Sequence, residues 1–167
     1  MILQFDRSVI VVMDLRDGGY GSMIMIPPKE EPTLLSGPCW SYFSNYEAEI
    51  IAIQKTLDTL IQQFESGSST PTDTVIFSDS LSAIQAIENS HGNAAKDIEE
   101  IILTCDRIMS LHGITITIQW IPGHSDISMN DKAGGLAKMG SHMQQLNTNT
   151  SYDTAKQIAK QNPTTGQ

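Results

Sequence analysis

Asp79 closes the apolar stretch TVIFSD, Glu49 lies near the start of YEAEIIAIQKTLDTLIQQF, and His124 sits on the Pro-Gly-His loop after ITITIQWIP. Each has an ordinary explanation when taken alone. An aspartate next to a helix-opening serine can serve as a cap, a glutamate in a first turn is favoured by the helix dipole, and a lone loop histidine is more often incidental than reactive. Taken together they suit the active-site edge of an α/β sheet, where strand ends, helix starts and loops converge. Hard divalent ions such as Mg2+ take oxygen ligands, and carboxylates gathered at such an edge would hold them.

The segments that must position these residues can be read from their periodicity. SVIVVM (Ser8 to Met13) has the β-branched composition of a buried strand, and RDGG (Arg16 to Gly19) follows with the Asp-Gly pair that favours a tight hairpin into YGSMIMIP. The stretch from Pro27 to Pro38 carries four prolines and reads as loop or irregular edge, after which CWSYF supplies a short third strand. Ala48, Ile51, Ala52, Leu57, Leu60, Ile61 and Phe64 recur at helical spacing after Ser44-Asn45. ESGSSTPTD is a linker by composition, and the strand TVIFSD entered from a helix implies a β-α-β crossover. SLSAIQAIENS and AKDIEEIILTCDRIMSLHG read as two further helices, the second ending on Gly113, and ITITIQWIP alternates as a strand should. The expected order is β-β-β-α-β-α-α-β-α.

With 167 residues and 40% apolar content, the chain can bury one good core. Residues 1–141 are expected to form one domain, and 142–167, rich in Gln, Asn and Thr, a polar and mobile tail with a marginal helix at SYDTAKQIAKQ. No apolar run approaches a membrane span and no secretory signal is apparent, so an intracellular protein, cytoplasmic or nuclear, is expected. Cys39 and Cys105 lack metal-ligand spacing and read as reduced and packed. The formal charge of -9 argues against a free-standing nucleic-acid binder, since affinity for a polyphosphate comes largely from Lys and Arg.

The element order together with SNYEAE (Ser44 to Glu49), FSDS (Phe77 to Ser80) and WIPGHSDISMNDKAGGLAK (Trp120 to Lys138) resembles the type 1 ribonuclease H domain, most closely the version carried by non-LTR retrotransposon polymerase proteins. The resemblance runs from about Val9 to Ser141. It implies a ribonuclease H-like α/β fold: a five-stranded mixed sheet, three antiparallel strands then two parallel, flanked by helices. It also implies an enzyme that cuts the RNA strand of an RNA–DNA hybrid with two Mg2+ (or Mn2+) ions, leaving a 5'-phosphate and a 3'-hydroxyl. Contacts to 2'-hydroxyls in the minor groove would select RNA. By the same resemblance Glu49, not Glu47, is the metal-binding glutamate, Asp79 the central metal-bridging aspartate, His124 the loop histidine that helps water or product exchange, and Asn45 a contact to the substrate backbone.

Two departures from the family pattern bear on activity. The family's last helix reads N-E-K-A-D-x-L-A where this chain has NDKAGGLA, so Gly134 stands in place of a metal-binding aspartate. Asp131, one turn earlier, could reach inward, although it more simply replaces the family's glutamate. The opening strand lacks the family's Asp-Gly-Ser element. Asp14 is the best candidate for the first carboxylate, because a two-residue Asp17-Gly18 turn would place it opposite Gly21; Asp6 is the runner-up. The expected metal ligands are therefore Asp14, Glu49 and Asp79. The expected partners are RNA–DNA hybrid and neighbouring polymerase segments of a longer protein, which could supply the missing basic surface. The competing reading is a degenerate, catalytically weak or inactive ribonuclease H-like module that binds nucleic acid or another partner.

Overall fold

The β-branched run at the start of the chain becomes the central strand. In the computed structural model, which describes residues 8–16, 18–39, 45–67, 71–90, 95–122 and 128–144, β1 (Ser8–Arg16) pairs antiparallel with β2 (Gly19–Met25) and parallel with β4 (Asp73–Ser78). β3 (Thr33–Pro38) joins β2 antiparallel and β5 (Thr115–Trp120) joins β4 parallel, giving one sheet in the order β3-β2-β1-β4-β5. The helices are α1 (Asn45–Ser66), α2 (Leu81–Glu88), α3 (Lys96–His112) and α4 (Ser128–Ser141).

The first hairpin follows from its turn. Arg16 pairs with Gly19, so a two-residue connection closes it, and Gly18 takes a φ of 82° that a residue with a Cβ rarely adopts. That register puts Asp14 opposite Gly21. The third strand departs from expectation. It is Thr33–Pro38, inside the proline-bearing stretch, and Cys39 lies just past its end. Prolines can flank an edge strand that pairs on one side only, and β3 uses β2 alone. Trp40 to Phe43, once expected to form that strand, lie outside the described residues.

One face of the sheet carries α1 and α3. Ile53, Leu57 and Leu60 of α1 are fully buried against Val11, Ile24 and Ile76 of the strands and Ile101 and Ile108 of α3. Each such side chain contributes roughly 1.5–3 kcal/mol relative to exposure. Ser22 of β2 and Thr56 of α1, both fully buried, hydrogen-bond to each other at 2.9 Å across this layer. α3 ends at Gly113, whose left-handed backbone caps it through an N–H donated to the Met109 carbonyl. Among the described residues no helix is long and apolar enough to cross a membrane.

α4 lies on the other face, over β1, β2 and β3, because Gly21 faces it while the adjacent Ser22 faces α1. The approach is backbone to backbone. A methyl group added at Gly21 would lie 2.7 Å from Leu136 Cβ and closer still to the Ala133 carbonyl and the Ala137 amide. One added at Gly140 would strike the backbone of Gly37, with the amide nitrogen at 2.8 Å. The Ser36 hydroxyl of β3 fastens the seat by donating to the Leu136 carbonyl at 2.6 Å. Gly135 is different, since a Cβ there meets open space.

Alanine at either Gly21 or Gly140 is therefore expected to lower stability by about 1–3 kcal/mol through overpacking, whereas Gly135→Ala should raise it by about 1 kcal/mol through helix propensity. Urea unfolding followed by circular dichroism distinguishes them; equal tolerance at all three positions would contradict the close seating of α4.

Candidate functional site

β1, β4 and β5 run parallel, so their C-terminal ends share one edge of the sheet. Val12 pairs with Phe77, and continuing that register by two residues puts the backbone of Asp14 level with Asp79. Ser78 pairs with Trp120, so the chain leaves β5 at this same edge. His124 and Asp6 lie outside the described residues, as do the side chains of Asp14 and Asn45; the backbone of Asn45 opens α1.

Glu49 follows in the second turn of α1 and is only 4% exposed. Its Oε2 accepts a hydrogen bond from the Ser78 hydroxyl at 3.4 Å. Ser78 is itself fully buried and immediately precedes Asp79. The two carboxylates predicted to cooperate thus come from elements joined through a shared neighbour. Glu47, the alternative in the same motif, is half-buried two residues earlier, on a different side of the helix.

Asp79 is exposed just past the end of β4. It does not cap α2. That task falls to Ser80, whose hydroxyl accepts from the Ala83 amide at 3.3 Å. The backbone around Asp79 is held on three sides: the Ser80 N–H donates to the Ser78 hydroxyl at 3.1 Å, the Trp120 indole N–H donates to the Asp79 carbonyl at 3.1 Å, and the Ile121 N–H donates to the Ser78 carbonyl at 2.9 Å. A carboxylate freed from capping and carried on a fixed backbone can meet a ligand from solvent.

α4 places Gly134 on its buried side, while Asp131 in the first turn is exposed. Among the described residues no group of three or more His, Cys, Asp or Glu side chains forms a ready metal cage.

Ser78, Trp120 and Cys39 were not singled out from the sequence as site residues. Ser78 had one signal: it occupies the last inward position of an alternating strand, where an apolar residue would be expected. Cys39 is buried beside Glu49, its N–H donating to the Gly18 carbonyl at 2.7 Å and its thiol lying 3.7 Å from the Ala48 carbonyl. Burial, with the nearby Glu49 charge, pushes its pKa up to about 12. Burial, helped by Asp106, likewise raises Cys105 to about 11. Both thiols are free.

The RNase H family model matches residues 12–142 of the chain. No curated protein matches it in sequence. Among solved structures it is similar to the RNase H1 of the halophilic archaeon Halobacterium salinarum (14% identity, 80% of this chain and 96% of the other, TM-score 0.55). It is also similar to LC11-RNase H1, isolated from compost by a metagenomic approach and solved with an RNA/DNA hybrid (17% identity, 78% of this chain and 94% of the other, TM-score 0.56). A third likeness is to the protease-reverse transcriptase of prototype foamy virus (18% identity, TM-score 0.53), where 82% of this chain matches 21% of that one. At such identities the shared property is the fold.

The raised thiols weaken the fold at alkaline pH. The folded state keeps protons that the unfolded state releases once pH passes the ordinary thiol value of 9.0. Their contribution is complete below that pH and is lost as pH rises through about 11 and about 12. Urea midpoints should fall between about pH 8 and about pH 10.5, and Cys39→Ala should flatten the fall. An unchanged slope in that variant would contradict the burial of Cys39 beside Glu49.

Proposed function

The chain belongs to the ribonuclease H family, and from that premise we propose that it hydrolyses the RNA strand of an RNA–DNA hybrid at the edge bearing Glu49, Asp79 and Asp14, as part of a retroelement's machinery. The observation that carries this reading is the Glu49–Ser78 hydrogen bond, which draws the α1 carboxylate to the residue adjoining Asp79.

The donor set is chemically suited to a hard divalent ion. Glu49 and Asp79 offer carboxylate oxygens from converging elements, and Asp14 stands level with Asp79 along the backbone. Mg2+ or Mn2+ would be held by these three residues, and bound there would supply Lewis acidity at the scissile phosphate. The protein's own part is to orient. Glu49 is kept out of bulk water with its carboxylate directed by a hydroxyl, and Asp79 faces solvent, where a phosphate can approach. His124, on the loop that leaves β5, would assist water or product exchange, and Asn45 at the start of α1 would touch the substrate backbone.

The net charge of -9 opposes binding of a polyanion. Polymerase segments in a longer protein would supply the basic surface, a reading supported by the similarity to part of a viral protease-reverse transcriptase. Gly134 favours a second reading, a hybrid-binding module with little or no turnover. A buried glycine where the family pattern has a metal-binding aspartate contributes no ligand.

Incubating the purified chain with labelled hybrid and Mg2+ or Mn2+ separates the two. Slow cleavage that Asp79→Asn reduces to background is expected. Gly134→Asp should speed it by about tenfold or more, the effect of about 1.4 kcal/mol of added transition-state stabilisation. A folded protein that cuts nothing, with or without the added aspartate, overturns the nuclease reading and leaves the binding module.

A further inference from the structure

Ser78 is a buried polar residue at a position that the strand pattern reserves for the core. Thr74 and Ile76, the preceding inward residues of β4, are fully buried, and Ser78 follows them at the strand's end. Its hydroxyl has a defined polarity. The Ser80 N–H can only donate, so at 3.1 Å it takes a lone pair of Ser78 Oγ, and the hydroxyl proton is directed to Glu49 Oε2 at 3.4 Å. The carbonyl of the same residue accepts from the Ile121 N–H at 2.9 Å. One residue thus joins α1, the turn bearing Asp79, and the chain leaving β5.

We propose that Ser78 is a positioning residue for the divalent-ion site: its hydroxyl sets the orientation of the Glu49 carboxylate and ties it to the Asp79 turn. This rests on the nuclease reading for its purpose but not for its test. A buried carboxylate whose hydrogen-bond donor is removed swings or takes up water, and either change moves its oxygens away from a shared cation. Partners in the second layer around a metal usually change its affinity by about 10–100-fold.

The test uses the whole chain and Mn2+ alone as the probe. The thermal unfolding midpoint is followed against Mn2+ concentration for the wild type, Ser78→Ala and Ser78→Thr. Ser78→Ala should raise the half-maximal Mn2+ concentration by about tenfold, and Ser78→Thr, which keeps a hydroxyl, should stay within about threefold of wild type. A merely structural serine would lower the metal-free midpoint and leave the Mn2+ dependence where it was, which overturns the proposal.

A second measurement needs no metal. In EDTA, Ser78→Ala, Glu49→Ala and the double variant form a cycle on the unfolding equilibrium constant, with non-additivity of about tenfold expected for a bond to a charged group. Additivity in this cycle, or an absent Mn2+ response in the wild type, overturns the positioning role. Absence of hybrid cleavage alongside the expected Mn2+ shift and non-additive cycle would instead overturn the nuclease reading and leave Ser78 as the organiser of a cation site.

Discussion

Strand direction is the constraint from which the rest follows. β1, β4 and β5 are parallel, and β3, antiparallel to β2 which is antiparallel to β1, runs the same way. Four strands therefore end at one edge. The chain enters α1 just after β3, so the first turns of that helix, and Glu49 with them, must begin there too. Asp14 near the end of β1, Asp79 after β4 and the segment following Trp120 reach the same place without any local signal linking them. Parallel pairing requires long crossovers, here α1 and then α2 with α3, and those crossovers bury the apolar face that stabilises the arrangement.

Much of this was legible in the residues. The 3.6-residue recurrence from Ala48 to Phe64 marked α1, and Gly113 marked the end of α3, because both are local effects of periodicity and backbone freedom. The Asp-Gly turn was enough to place Asp14 opposite Gly21, since a two-residue connection leaves one register. β3 was misplaced because its prolines read as breakers, and an edge strand needs only one hydrogen-bonding side. The Glu49–Ser78 bond joins residues 29 positions apart, and no window along the chain could display it. The exposure of Asp131 is of the same kind: one-turn spacing allowed it to face inward, and packing against the sheet decided otherwise.

The two carboxylates differ in environment. Glu49 is enclosed and bonded to a hydroxyl, which fixes direction; Asp79 is open, on a backbone pinned by Trp120 and Ile121, which fixes position while leaving the group accessible. Cys39, buried near Glu49, retains its proton. A buried charge is expensive unless partnered, so the enclosure of Glu49 and its hydrogen bond belong together.

The seat of α4 has a mechanical consequence. With glycines on both sides, helix and sheet meet through main chain, so the depth of the helix is set by atoms that every substitution elsewhere leaves alone. Side chains on the solvent side of α4 can therefore change without altering how deeply the helix sits. The frame at the sheet's edge is fixed by main chain, independently of the groups displayed on it.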